Sequence, residues 1–158
     1  MLEIIRLTYF KINTMAISDL YASGVHKRNL GHFANILRLA ISDNQITGNE
    51  QTIINQLKKR LQISDSEYHM IIANPDRYPI NPPVDLSRRL ERFYNLVLII
   101  VADIEVRLEE IQVLKKIGVG LGFSMDKLDA LIEKSISLVR KGVKQEEFVE
   151  DLKKDHLI

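Results

Sequence analysis

Shifted by 60 residues and laid over itself without a gap, this chain repeats. Phe33 then meets Phe93, Asn35 meets Asn95, Asp43 meets Asp103, Glu50 meets Glu110, Leu61 meets Leu121 and Ser64 meets Ser124. Apolar positions agree at the same shift: Ile46 with Val106, Ile53 with Val113, Ile54 with Leu114, Leu57 with Ile117 and Ile63 with Phe123. Shared identity and a shared apolar period at one offset predict an internal duplication. The architecture of the second half is therefore tied to that of the first.

The period within each unit is helical. In "RNLGHFANILRLAI", residues 28–41, Leu30, Phe33, Ala34, Leu37, Ala40 and Ile41 recur at the spacing of one helix face. Ile36 and Leu39 widen that stripe and predict a central, mostly buried helix. Thr47 and Glu50 have the T-x-x-E spacing of a capping box, which opens a helix from Gly48 to Leu61. "SDSE", Ser64 to Glu67, opens a short helix ending near Ala73 in the same way. All four prolines then fall in "NPDRYPINPPVD", Asn74 to Asp85. Proline fixes φ and removes a donor, so this stretch is predicted as an extended connector, with Tyr78 and Ile80 as its anchoring or partner-contacting side chains. Beyond it, a helix from Met125 to about Arg140 is expected to bury Leu128, Leu131, Ile132, Leu138 and Val139. Gly142 interrupts, and a last helix carries Phe148, Val149 and Leu152 inward. No stretch has the alternating period of a strand bounded by hairpin turns. The expectation is an all-α, single-domain bundle of about seven or eight helices built from two three-helix units. Its parts are an N-terminal extension (1–14), then a domain over 15–158 divided into a first unit (28–73), connector (74–85), second unit (86–140) and C-terminal helix (144–156).

Composition removes several functions. A chain of 158 residues with 46% apolar and 27% charged side chains is long enough to bury a core without covalent staples. Its formal charge of +1 lacks the basic excess of a nucleic-acid footprint. Cysteine is absent, which removes disulfides, thiolate metal sites, iron–sulfur clusters and thiol nucleophiles. The longest apolar run, "LVLIIVA" (Leu96 to Ala102), falls far short of the roughly 20 residues that cross a bilayer, so no membrane insertion is expected. "MLEIIRLTYFKINT" carries Glu3 and Arg6 within its apolar stretch and lacks a small-residue cleavage site, a poor signal peptide. Met15 follows directly and is an expected alternative translation start.

Chemistry concentrates at two acidic corners. Each unit places an Asp at one helix end and a Glu seven residues on, in the first turn of the next: Asp43 with Glu50, and Asp103 with Glu110. Carboxylate oxygens suit hard cations such as Ca²⁺, Mg²⁺ or Mn²⁺. If the units pack about a pseudo-twofold axis, the corners pool four carboxylates. The structural reading explains the same residues: Glu50 completes the Thr47 capping box, and Asp43 closes a turn through its own side chain. Both readings stand on sequence. An EF-hand is excluded, since Gly48 occupies the sixth loop position from Asp43 but Ile54 holds the twelfth, where a bidentate Glu is required. His26 and His32 are six apart, on opposite sides of a helix, and His69 and His156 lack the context of a zinc or di-iron motif. The glycines of "IGVGLGF" end a helix, and so suit close packing and a C-cap better than a nucleotide. No nucleophile, base and orienting group can be assembled, so no enzyme is expected. A metal-dependent hydrolase at the acidic corners is the weakest alternative.

"LRLAISDNQIT", then Glu50, then "LQISDSE" resembles the tellurite-resistance TerB-like family, and "LIIVADIEVRLEEIQVLKKIGVGLGFS" resembles the same pattern again. "MAISDLYASGVHKRNLGHFANI" and "NPDRYPINPPV" are similar to a bacterial subgroup of it, so the likeness covers about residues 15–155. The resemblance implies an all-α cytoplasmic protein tied to tellurite resistance or general stress response. It also implies a divalent cation at Asp43, Glu50, Asp103 and Glu110, and action through an unidentified protein partner. The sequence departs from the family at the glycine after each Asp, which is Asn44 in one unit and Ile104 in the other. Asn tolerates positive φ, whereas Ile does so only at a cost, so only the first loop is expected to keep the family geometry.

Overall fold

Apolar spacing becomes seven α-helices in the computed structural model, which describes residues 24–42 and 44–158. The expected extension over 1–14, the Met15 start and Asp43 lie outside the described residues. Helix α1 spans 24–40, α2 Gly48–Arg60, α3 Asp65–Ala73, α4 Leu86–Ile100, α5 Leu108–Gly120, α6 Met125–Arg140 and α7 Gln145–Lys154. No described residue lies in a strand.

Helices α1 and α4 are the most deeply buried, as their wide apolar stripes require. Phe33, Ala34, Ile36, Leu37, Leu39 and Ala40 of α1 are sealed from solvent, as are Leu90, Phe93, Leu96, Val97 and Ile99 of α4. Helix α4 packs against α2, α5, α6 and α7. Phe123 meets Phe93 edge-on at 5.3 Å, and Phe148 of α7 meets Tyr94 at 5.0 Å, geometries that aromatic rings favour. The residues expected inward on α6 and α7 are all buried.

Helix ends follow local chemistry and recur at the sequence offset. Helices α2 and α5 begin at 48 and 108 and end at 60 and 120, while α3 and α6 begin at 65 and 125. Both α2 and α5 stop in a Schellman turn. Ile63 N–H donates to Lys58 O and Gln62 N–H to Lys59 O, as Phe123 N–H does to Gly118 O and Gly122 N–H to Val119 O. The left-handed residue is Gln62 (φ 57°) in one turn and Gly122 (φ 91°) in the other. Lengths part at α3, which has 9 residues against 16 in α6. Pro75 follows α3 at once, and a proline there cannot continue a helix.

The connector is not extended throughout. Pro75–Arg77 forms a single 3₁₀ turn with proline in its first position, where a missing N–H costs nothing. Arg38 of α1 fixes it: its guanidinium donates to the carbonyls of Pro75 and Tyr78, both at 2.7 Å, and pairs with Asp76. Tyr78 and Ile80 are half-buried and pack against the core. Ile80 lies so close to Gly120 that a Cβ there would stand 2.5 Å from its Cδ1. The tight helix packing expected of the α5 glycines is thus present, with Gly118 against Leu128 of α6 and Gly120 against the connector.

Candidate functional site: an acidic corner and an arginine cleft

Capping chemistry places the first glutamate. Thr47 precedes α2, its hydroxyl accepts from Glu50 N–H at 3.2 Å, and Glu50 accepts from Thr47 N–H at 2.8 Å. At α5 the equivalent residue is Arg107, a side chain with donors only. Half of the reciprocal arrangement therefore persists there: Glu110 accepts from Arg107 N–H at 3.1 Å. These bonds turn both glutamates inward, leaving Glu50 1% and Glu110 4% exposed.

Turned inward, the two carboxyls come near enough for Glu50 to act on Glu110. Burial first, and then the Glu50 carboxylate against it, push the Glu110 carboxyl above its ordinary range, although Arg107 N–H acts the other way. Asp103 comes to the same helix start from the other corner, accepting from Thr47 Oγ1 at 3.2 Å and from Asn49 Nδ2 at 3.3 Å. Asn44 takes the left-handed conformation (φ 65°) expected of it, and Ile104, fully exposed, has no positive φ. Of the three carboxylates among the described residues, then, Glu50 and Glu110 are buried near one another and Asp103 caps the start of α2. Among the described residues, which leave out Asp43, no three His, Asp or Glu side chains are grouped as a cation shell.

A second concave feature was not anticipated from sequence. The N-terminal halves of α1 and α4, the end of α2 and the Asn81–Asp85 stretch surround a cleft of about 670 Å³. Arg28, Arg60, Arg88 and Arg92 line it, with Asp85, Glu91 and His32. His32 is 3% exposed, and its pKa is held down at about 3 by burial first and by Arg92 and Arg60 next. Asn95 links it to the cationic rim: its Oδ1 accepts from Arg60 at 2.7 Å, and its Nδ2 lies 3.1 Å from His32 Nε2. The repeat held a signal for this site, since Arg28 and Arg88 stand 60 apart and His32 falls opposite Arg92. Read singly, Arg28 beside Lys27 looks like a solvated charge. Other histidines are accounted for locally: His26 pairs with Glu67 at 2.7 Å, and His69 is exposed beside Tyr68. No known protein family, curated protein or solved structure matches this chain.

Proposed function

We propose that the chain is a non-enzymatic, TerB-like helical module of two duplicated three-helix units that takes a divalent cation at the Glu50–Glu110 corner and engages a protein partner in a cytoplasmic stress or tellurite response. The observation carrying this reading is the burial of two glutamates, each turned inward by the same helix start in its half of the chain, with Glu50 near enough to raise the Glu110 carboxyl. Two buried carboxyls near one another suit a hard cation, which gains oxygens from both. The recurrence of helix ends at the 60-residue offset supports the duplication.

Thermal melting with Ca²⁺, Mg²⁺ or Mn²⁺ tests it. A bound ion raises stability by RT ln(1 + [L]/Kd), about 2.7 kcal/mol at a hundredfold excess over Kd. The gain should vanish in the Glu50→Gln/Glu110→Gln double variant. No gain at millimolar ion, or an equal gain in the variant, removes the cation and leaves the second reading, a metal-free scaffold. That reading draws on the capping bonds, which already give both glutamates a structural use.

A further inference from the structure

The hydrogen-bond chain behind the arginine cleft fixes a proton. Arg60 can only donate, so the Asn95 atom it meets is the oxygen. Asn95 Nδ2 is then the donor toward His32, and His32 Nε2 is the acceptor. A neutral imidazole accepting at Nε2 carries its proton on Nδ1. That Nδ1 is buried and has no hydrogen-bond partner. A buried donor without an acceptor costs about 1–3 kcal/mol, and such groups are rare in folded proteins.

Among the described residues the four rim arginines make no ion pair, although Asp85 and Glu91 also line the cleft. Arg60 and Arg92 spend donors on Asn95 and on the Asn81 carbonyl, at 2.7 and 2.9 Å. Among the described residues, Arg28 and Arg88 make no hydrogen bond or ion pair. Of the two lining carboxylates, Asp85 is engaged as the cap of α4, accepting from Ser87 N–H at 3.0 Å. Burial, then the charges of Arg28 and Arg88, lower the pKa of Arg92, so the guanidiniums feel one another. A chain of net charge +1 has no general excess that would gather four arginines here. Like charges around a concavity repel one another, and an anion seated among them removes that repulsion. The planar fork of guanidinium fits phosphate and carboxylate oxygens two at a time.

We propose that this cleft binds a small, multiply charged oxyanion, a phosphorylated or polycarboxylate metabolite, held by Arg28, Arg60, Arg88 and Arg92, with the Asn95 bridge to buried His32 fixing the Arg60 guanidinium. A volume of about 670 Å³ matches a small-molecule site and is too confined for a nucleic-acid duplex. The site is separate from the acidic corner and does not depend on a cation there.

Calorimetric titration of the full chain with pyrophosphate and, separately, with citrate tests the proposal and identifies the anion class. Saturable binding of either is expected, weakening as ionic strength rises. Arg28→Gln/Arg88→Gln changes two side chains with no partner among the described residues and relieves their repulsion of Arg92, so its melting temperature should equal or exceed the wild type's while affinity falls at least tenfold. Glu50→Gln/Glu110→Gln should bind the anion as the wild type does, which separates this site from the cation reading. Binding of neither anion at millimolar concentration, or unchanged affinity in the arginine variant, overturns the site.

Discussion

At the scale of single residues, a buried carboxyl pair makes stability depend on pH in a direction opposite to that of most acids. Glu110 is raised above its ordinary value of 4.5 by burial and by Glu50, so the folded chain holds that proton more tightly than the unfolded chain. Its stabilising share is complete below the unfolded value and is lost as pH rises through the folded one. Glu110→Gln mimics the protonated state: the amide keeps an acceptor for Arg107 N–H and offers Glu50 a donor. Urea denaturation from pH 4 to 8 should therefore show the variant gaining on the wild type above about pH 4.5 and then holding a constant lead. Parallel curves for the two proteins would mean that folding does not raise the Glu110 carboxyl.

At the scale of elements, one geometry with two occupants gives opposite predictions. The turns after α2 and α5 share a hydrogen-bond pattern, yet one puts Gln62 and the other Gly122 at positive φ. A side chain in that region costs roughly 1 kcal/mol that glycine avoids. Gln62→Gly should stabilise the fold by about 0.5–1 kcal/mol, while Gly122→Ala should destabilise it by about 1 kcal/mol or more. The alanine also brings a Cβ to within 2.8 Å of Arg89 Nη1. Denaturation midpoints of the two variants should shift to opposite sides of the wild type, and shifts of one sign would refute the argument. The same elements show how far sequence reached. Apolar period and caps located α2 and α6 because those signals are local to the helix. The 24–27 stretch of α1 has only Val25 as a large apolar residue, so no stripe marks it. Its tie is the bond from His26 to Glu67, 41 residues away. The 3₁₀ turn was hidden for the same reason: its carbonyls are held by Arg38, from another part of the chain.

At the scale of the whole molecule, the acidic corner was legible in part and the arginine cleft was not. A conspicuous Asp–Glu spacing pointed to Glu50 and Glu110, and capping chemistry explains why they turn inward. The cleft is assembled from α1, α2 and α4, and each of its arginines alone reads as a surface charge. Its most informative member, His32, sits on an apolar face where sequence gives no hint of Asn95 or Arg60 beside it. That ring joins three helices, so its titration acts on the fold as a whole. His32 is lowered from 6.5 to about 3, so between these values the unfolded chain takes up a proton that the folded chain refuses. Its contribution is complete above about pH 6.5 and is lost as pH falls, a slope opposite to that of Glu110. His32→Gln keeps an acceptor for Asn95 and cannot charge. At pH 7 it should lose stability by a modest amount, from poorer filling of the ring's site. Between pH 6.5 and 4.5 the wild type should fall toward it, and the gap measured by denaturation at the two ends should narrow or reverse. A gap that stays constant across this window would mean that the buried ring is protonated in the folded state. The Nε2 acceptor for Asn95 would then be lost with it.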